Sequence, residues 1–114
     1  MEITDVLESL KIGKITVSEA KKLLSLYSIE KIEDFAQIDM GRKHRKGIPE
    51  VIFAERKTTE EIKKIIIRVL EKSDSVLVSR IQKKDYSKIA SFAKSKKLKI
   101  RDGKNTTTLL IYKN

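Results

Sequence analysis

An α/β fold is predicted by two features of the sequence. From residue 35 onward short β-prone runs alternate with amphipathic helical stretches, and two helix starts carry a threonine with a glutamate three residues on. The expected architecture is an N-terminal helical hairpin followed by a mixed, partly parallel sheet of about five strands with two helices. The hairpin, residues 1–34, reads as an appendage, and residues 35–114 read as the small α/β domain.

The elements follow in order. Ile3, Val6, Leu7 and Leu10 recur at helical spacing. After Gly13, Thr16 and Glu19 stand in capping-box register, and Ala20, Leu23 and Leu24 form the stripe of a second helix. These helices, roughly residues 2–27, are too short to persist alone in water and need a surface to cover them. The β-prone runs are Phe35–Asp39, Val51–Ala54, Ser75–Ile81, Leu98–Arg101 and Thr107–Tyr112. Between the second and third, Thr58 and Glu61 open a helix whose face is Ile62, Ile65, Ile66, Val69 and Leu70. Between the third and fourth, Asp85 is expected to cap a helix that packs through Tyr86, Ile89, Phe92 and Ala93. Strands connected through helices in this way should run parallel with right-handed crossovers. The Asp102-Gly103-Lys104-Asn105 stretch should turn the last two strands into an antiparallel hairpin.

Length and composition restrict the function. With 114 residues, one domain with a real core is expected, small for a self-contained two-substrate enzyme. Cysteine is absent, which excludes disulfides, thiolate metal sites and cysteine nucleophiles within this sequence. No leader is read, and aliphatic runs such as Ile65-Ile66-Ile67 are too short to cross a bilayer, so a cytoplasmic protein without membrane contact is expected. The formal charge is +10, and residues 83–104 supply +7 of it from nine Lys/Arg and two Asp. Such a field suits a polyanion, or serves solubility alone.

The most distinctive segment is Asp39-Met40-Gly41-Arg42-Lys43-His44-Arg45-Lys46-Gly47-Ile48-Pro49-Glu50-Val51-Ile52-Phe53, which holds four cations, two glycines and the sole histidine and proline. Like charges at this density cannot be packed as core, so an exposed or partner-facing loop is expected. His44, between Lys43 and Arg45, reads as a solvated residue rather than a metal ligand or acid–base group. No catalytic residue and no metal ligand is assigned. Arg42 and Arg45 are the best anion-binding candidates, because planar guanidinium forks match phosphate and carboxylate oxygens; the bland reading is a solvated cationic loop. Asp39 and Glu50 either shape an active-site field or clamp the loop by ion pairs with those arginines, and the clamp is the simpler account. Lys57 precedes a helix start and could reach an anion, although Glu60 and Glu61 already occupy the first turn.

Asp39, Arg42, Arg45, Gly47, Pro49, Glu50, Val51 and Ile52, followed by Lys57-Thr58, resemble in order and spacing the carboxylase/hydrolase family of nickel-pincer cofactor biosynthesis (LarB-like, with a PurE-like domain). Gly13, Thr16-Val17-Ser18-Glu19-Ala20 and Val76-Leu77-Val78-Ser79-Arg80 fit the N-terminal region of the same family. Ala54 and Arg56 depart from it, since glycines are common there. The resemblance implies a parent enzyme that uses nicotinate adenine dinucleotide and CO2 or bicarbonate to make a pyridinium dicarboxylate mononucleotide, with hydrolysis of the phosphoanhydride. It also implies that the reactive cysteine lies on a C-terminal carboxylase-like domain. This chain is then expected to be the N-terminal domain alone: inactive by itself, binding no cofactor of its own, and partnered by that second domain, with homo-oligomers possible through the parent enzyme. Arg42, Arg45 and Lys57 would contact anionic ligand, and Asp39, Gly47, Pro49 and Glu50 would position the loop.

The rival reading is a small nucleic-acid-binding module working through Lys83 to Lys104. Three Tyr, three Phe and no Trp leave it without an evident stacking platform.

Overall fold

The computed structural model describes residues 2–32, 49–102 and 107–113. Its elements in chain order are α1 (Ile3–Lys11), α2 (Val17–Ile32), β1 (Glu50–Phe53), α3 (Thr59–Lys72), β2 (Ser75–Ser79), α4 (Lys83–Ser95), β3 (Lys99–Asp102) and β4 (Leu109–Tyr112). The predicted strand Phe35–Asp39 lies outside the described residues. Among those that are described, four strands form a sheet in the order β1-β2-β4-β3.

β1 runs parallel to β2, with Val51 opposite Leu77. β4 is antiparallel to β2 on one side and to β3 on the other, pairing Leu110 with Leu77 and with Arg101. Two successive reversals make β3 parallel to β1 and β2, so the mixed sheet expected from the sequence is present. The last two strands pair antiparallel as expected, with β4 inserted between β2 and β3; the expected turn at Gly103-Lys104-Asn105 lies outside the described residues.

The pleat divides the sheet into two apolar faces. Ile52, Val76, Val78, Leu109 and Ile111 face Ile62, Ile66 and Leu70 of α3 and Ile89 and Ala93 of α4. Leu77 and Leu110 point the other way, onto Leu26 and Ile29 of α2, with Val51, Phe53 and Tyr112 around them. Covered on both sides, β2 is buried at every residue, which is why it reads as a continuous apolar run rather than an alternating one.

α3 starts on its predicted capping box: Thr58 Oγ1 accepts from the Glu61 N–H at 3.1 Å, and Glu61 Oε1 accepts from the Thr58 N–H at 2.8 Å. The same reciprocal pair joins Thr16 and Glu19 at 2.9 and 3.1 Å. Gly13, at φ +81°, takes the left-handed conformation that turns α1 toward α2.

Three details differ from the sequence expectation. α2 continues to Ile32, and its Leu26 and Ile29 are core residues on the sheet, so this end of the hairpin covers the second apolar face. β2 stops at Ser79 rather than Ile81, because Arg80 leaves extended geometry at φ +58°. Asp85 does not cap α4. Gln82 holds the N-cap position in extended geometry, the Asp85 N–H bonds the Gln82 carbonyl at 2.8 Å, and Asp85 itself lies inside the first turn.

Candidate functional site

Parallel β1 and β2 end on the same edge of the sheet, and the connections that leave them run into the N-termini of α3 and α4. The carboxyl ends of parallel strands are where open α/β sheets commonly receive ligands, and here helix N-termini converge on them. This edge is built by side chains from four elements.

Ala54 continues the β1–β2 ladder, its N–H bonding the Ser79 carbonyl at 2.8 Å. Beyond it, Arg80 in the left-handed region lays its guanidinium over the Phe53 ring, 4.7 Å from the centroid, and donates to Glu55 Oε1 at 2.9 Å. A non-glycine residue held at positive φ is kept there by surrounding contacts. The ring and the carboxylate supply those contacts, and they join the end of β2 to the loop after β1. Lys57 folds back so that its ammonium donates to the Phe53 carbonyl at 2.8 Å.

The two helix starts are also tied together. Thr59 Oγ1 donates to Asp85 Oδ1 at 3.1 Å, and the Asp85 side chain is buried. Tyr86 donates to Asp102, joining the first turn of α4 to the end of β3. Burial, and then the hydrogen bond and charge of Asp102, raise the Tyr86 phenol above its ordinary value, so it stays a donor throughout the physiological range. The Glu61 carboxyl is held below its ordinary value, first by the backbone and then by the side-chain hydrogen bond with Thr58.

Against this frame lies an open depression of about 500 Å³, lined by Arg56, Lys57, Thr58, Thr59, Gln82, Lys84, Asp85 and Lys88. Four cations and one carboxylate make its wall basic. Asp85 already accepts from Thr59.

The sequence-predicted site residues are distributed differently. Asp39, Arg42, Arg45 and Gly47 lie outside the described residues. Pro49 is buried immediately before β1, and Glu50 opens that strand with its carboxylate ion-paired to Lys22 of α2. Lys22 was not singled out by sequence reasoning, because it lies 28 residues away. Glu50 and Lys57 fall at opposite ends of β1, separated by the strand's three steps of roughly 3.3 Å each, so they do not share one pocket. Arg56 and Arg80 entered the sequence reading only through the family resemblance, and Lys84 and Lys88 only as part of the basic stretch from Lys83 to Lys104. One signal was available: Lys83 and Lys84 occupy a helix start, where the dipole disfavours cations.

Among the described residues no group of three His, Cys, Asp or Glu is placed to hold a metal ion, and no helix is long and apolar enough to cross a membrane.

The family model for the LarB/PurE-like N-terminal domain matches residues 29–106. An uncharacterized protein of Methanocaldococcus jannaschii, MJ0165, is 31% identical over 112 residues, covering 96% of this chain. The chain spans 43% of the length of that relative. No solved structure matches the present chain.

Proposed function

We propose, from the premise that the chain belongs to the LarB/PurE-like N-terminal domain family, that it serves a carboxylase/hydrolase acting on nicotinate adenine dinucleotide in nickel-pincer cofactor synthesis. In this reading a PurE-like domain performs the carboxylation and hydrolysis. The present domain supplies anion-binding or assembly residues and is inert alone.

The observation that carries the proposal is the family match over residues 29–106, which contains the whole Asp39–Phe53 segment. Arg42 and Arg45 neutralise phosphate or carboxylate oxygens of the dinucleotide, as guanidinium forks are suited to do. Pro49 and Glu50 anchor the segment to the sheet: Pro49 is buried, and Glu50 is paired to Lys22, which fastens the start of β1 to α2. Lys57, held on the Phe53 carbonyl, steadies the opposite end of the same strand.

The nucleic-acid reading draws less support from the rings that could stack on bases. Phe53 lies under Arg80, Phe92 has Lys63 and Lys96 at 5.6 and 5.9 Å from its centroid, and the Tyr86 hydroxyl is bonded to Asp102.

The test replaces Arg42 and Arg45 singly by Ala in the complete protein that carries this domain. Weaker dinucleotide binding and slower turnover are expected, and full retention of both overturns the proposal. The isolated chain, incubated with nicotinate adenine dinucleotide and bicarbonate, should give no dicarboxylate product; sustained formation would show that it is not an accessory domain.

A further inference from the structure

The edge at the ends of β1 and β2 carries more positive charge than its own framework uses. Glu55 is taken by Arg80 at 2.9 Å, Asp85 by Thr59 at 3.1 Å, and Asp102 by Tyr86. Lys57 is committed to the Phe53 carbonyl. Arg56, Lys84 and Lys88 remain, all exposed and all lining the same depression, and none is paired with a carboxylate of the described residues.

This arrangement opposes local stability. Lys84 and Lys88 are four apart on α4, where like charges repel across roughly 6 Å, and Lys84 sits in the first turn, where the helix dipole repels a cation as well. The wall nonetheless offers further donors. The Gln82 side chain makes no capping bond to its own helix, and the Thr58 oxygen accepts from Glu61, which leaves its hydroxyl hydrogen directed elsewhere. The neighbouring backbone is fixed by Arg80, Asp85 and Tyr86, so these groups are held on a prepared frame.

We propose that this depression binds the diphosphate group of a small molecule. Arg56 offers a planar fork to one phosphoryl group, and Lys84 and Lys88 offer two point charges spaced to meet oxygens of both. A volume of about 500 Å³ exceeds what a single phosphate fills, and Asp85 is the one carboxylate in its wall. A long polyanion would instead need a continuing track of cations and open ring faces. The site stands apart from the Arg42 and Arg45 reading, because it lies at the other end of β1 from Pro49 and Glu50, and either can fail without the other.

Backbone amide NMR of the 114-residue chain, titrated separately with inorganic pyrophosphate, orthophosphate and a single-stranded oligonucleotide, tests the assignment. Saturable pyrophosphate shifts are expected at residues 56–59 and 82–88, with affinity about tenfold or more above orthophosphate and lost by a similar factor in Lys84→Gln/Lys88→Gln. An otherwise unchanged spectrum of that variant shows that the fold is intact, and Lys94→Gln/Lys97→Gln should bind as the parent does. Three results overturn the proposal: shifts spread equally over Lys94, Lys96 and Lys97, equal affinity for orthophosphate, or tighter saturable binding of the oligonucleotide at the same amides.

Discussion

Replacing Leu26 by Ala tests whether α2 is a structural cover of the sheet or a detachable appendage. Leu26 is fully buried and packs with Ile29 against Leu77 and Leu110, the central residues of β2 and β4 on that face. Truncating a buried leucine costs about 2–5 kcal/mol, the upper end applying where neighbours cannot close the cavity. α2 is an outer layer and can settle part of the way, so about 3 kcal/mol is expected. A chain of 114 residues unfolds with an entropy near 0.24 kcal/mol/K, so this loss lowers the melting temperature by about 12 °C. Against a total stability of roughly 5–15 kcal/mol the effect is large. The assay is urea unfolding followed by circular dichroism, with Leu7→Ala as the control, because Leu7 is 50% exposed on α1. A lower midpoint at unchanged slope is expected for Leu26→Ala only. Equal midpoints for the two variants would refute the reasoning and return α2 to the status of an appendage.

Three further outcomes follow from the same geometry. Thr58→Ala removes the acceptor for the Glu61 N–H and should cost about 1 kcal/mol, measured by denaturant midpoint; because the Glu61 carboxyl is depressed in the folded protein, its contribution is complete above the ordinary glutamate range and fades as pH falls through the lowered folded value, so Glu61→Gln and parent should converge in acid. Gly13→Ala should cost about 1–2 kcal/mol from backbone strain alone, since nothing lies within 4 Å of the added Cβ; no change in melting temperature would contradict the φ of +81°. Arg80→Gly and Arg80→Ala lose the same contacts to Phe53 and Glu55, but only glycine accepts φ +58° without strain, so the glycine variant should be the more stable by about 1 kcal/mol.

Much of this fold was legible because local and tertiary signals coincide. Ile62, Ile66 and Leu70 recur at the period that puts them on one helix face, and that face is the buried one. Both capping boxes formed, since their partners are three residues apart and need nothing distant. The covering role of α2 was hidden because it depends on Leu77 and Leu110, which meet Leu26 and Ile29 only after the sheet assembles. The placement of β4 between β2 and β3 is likewise a long-range choice. At the candidate site, single-residue reasoning about Lys57 found a basic position but not the Phe53 carbonyl that occupies its ammonium. Arg80 read as a strand residue because an arginine at positive φ has no sequence signature; its neighbours in space impose it. Asp85 read as a cap for a similar reason: its true partner, Thr59, lies on another helix.

The unpaired cations at the start of α4 permit a sharper test, because their cost to stability and their use in binding have opposite signs. Lys84 opposes the dipole of its own helix and the charge of Lys88, terms of about 0.3–1 and 0.2–0.5 kcal/mol. Lys84→Gln should therefore stabilise the protein at low ionic strength by roughly 0.5–1 kcal/mol, about 2–4 °C in melting temperature, while weakening pyrophosphate binding. Salt should erase the stability gain, since the repulsion acts through solvent between exposed groups. Lys97→Gln bears on the alternative that lysine content serves solubility alone: Lys97 follows α4, beside the end where a cation is favoured, so its loss should bring no stabilisation and no change in pyrophosphate affinity. If Lys84→Gln instead destabilises the protein, the cation is part of the framework, and the argument that its charge is held in reserve for a ligand collapses.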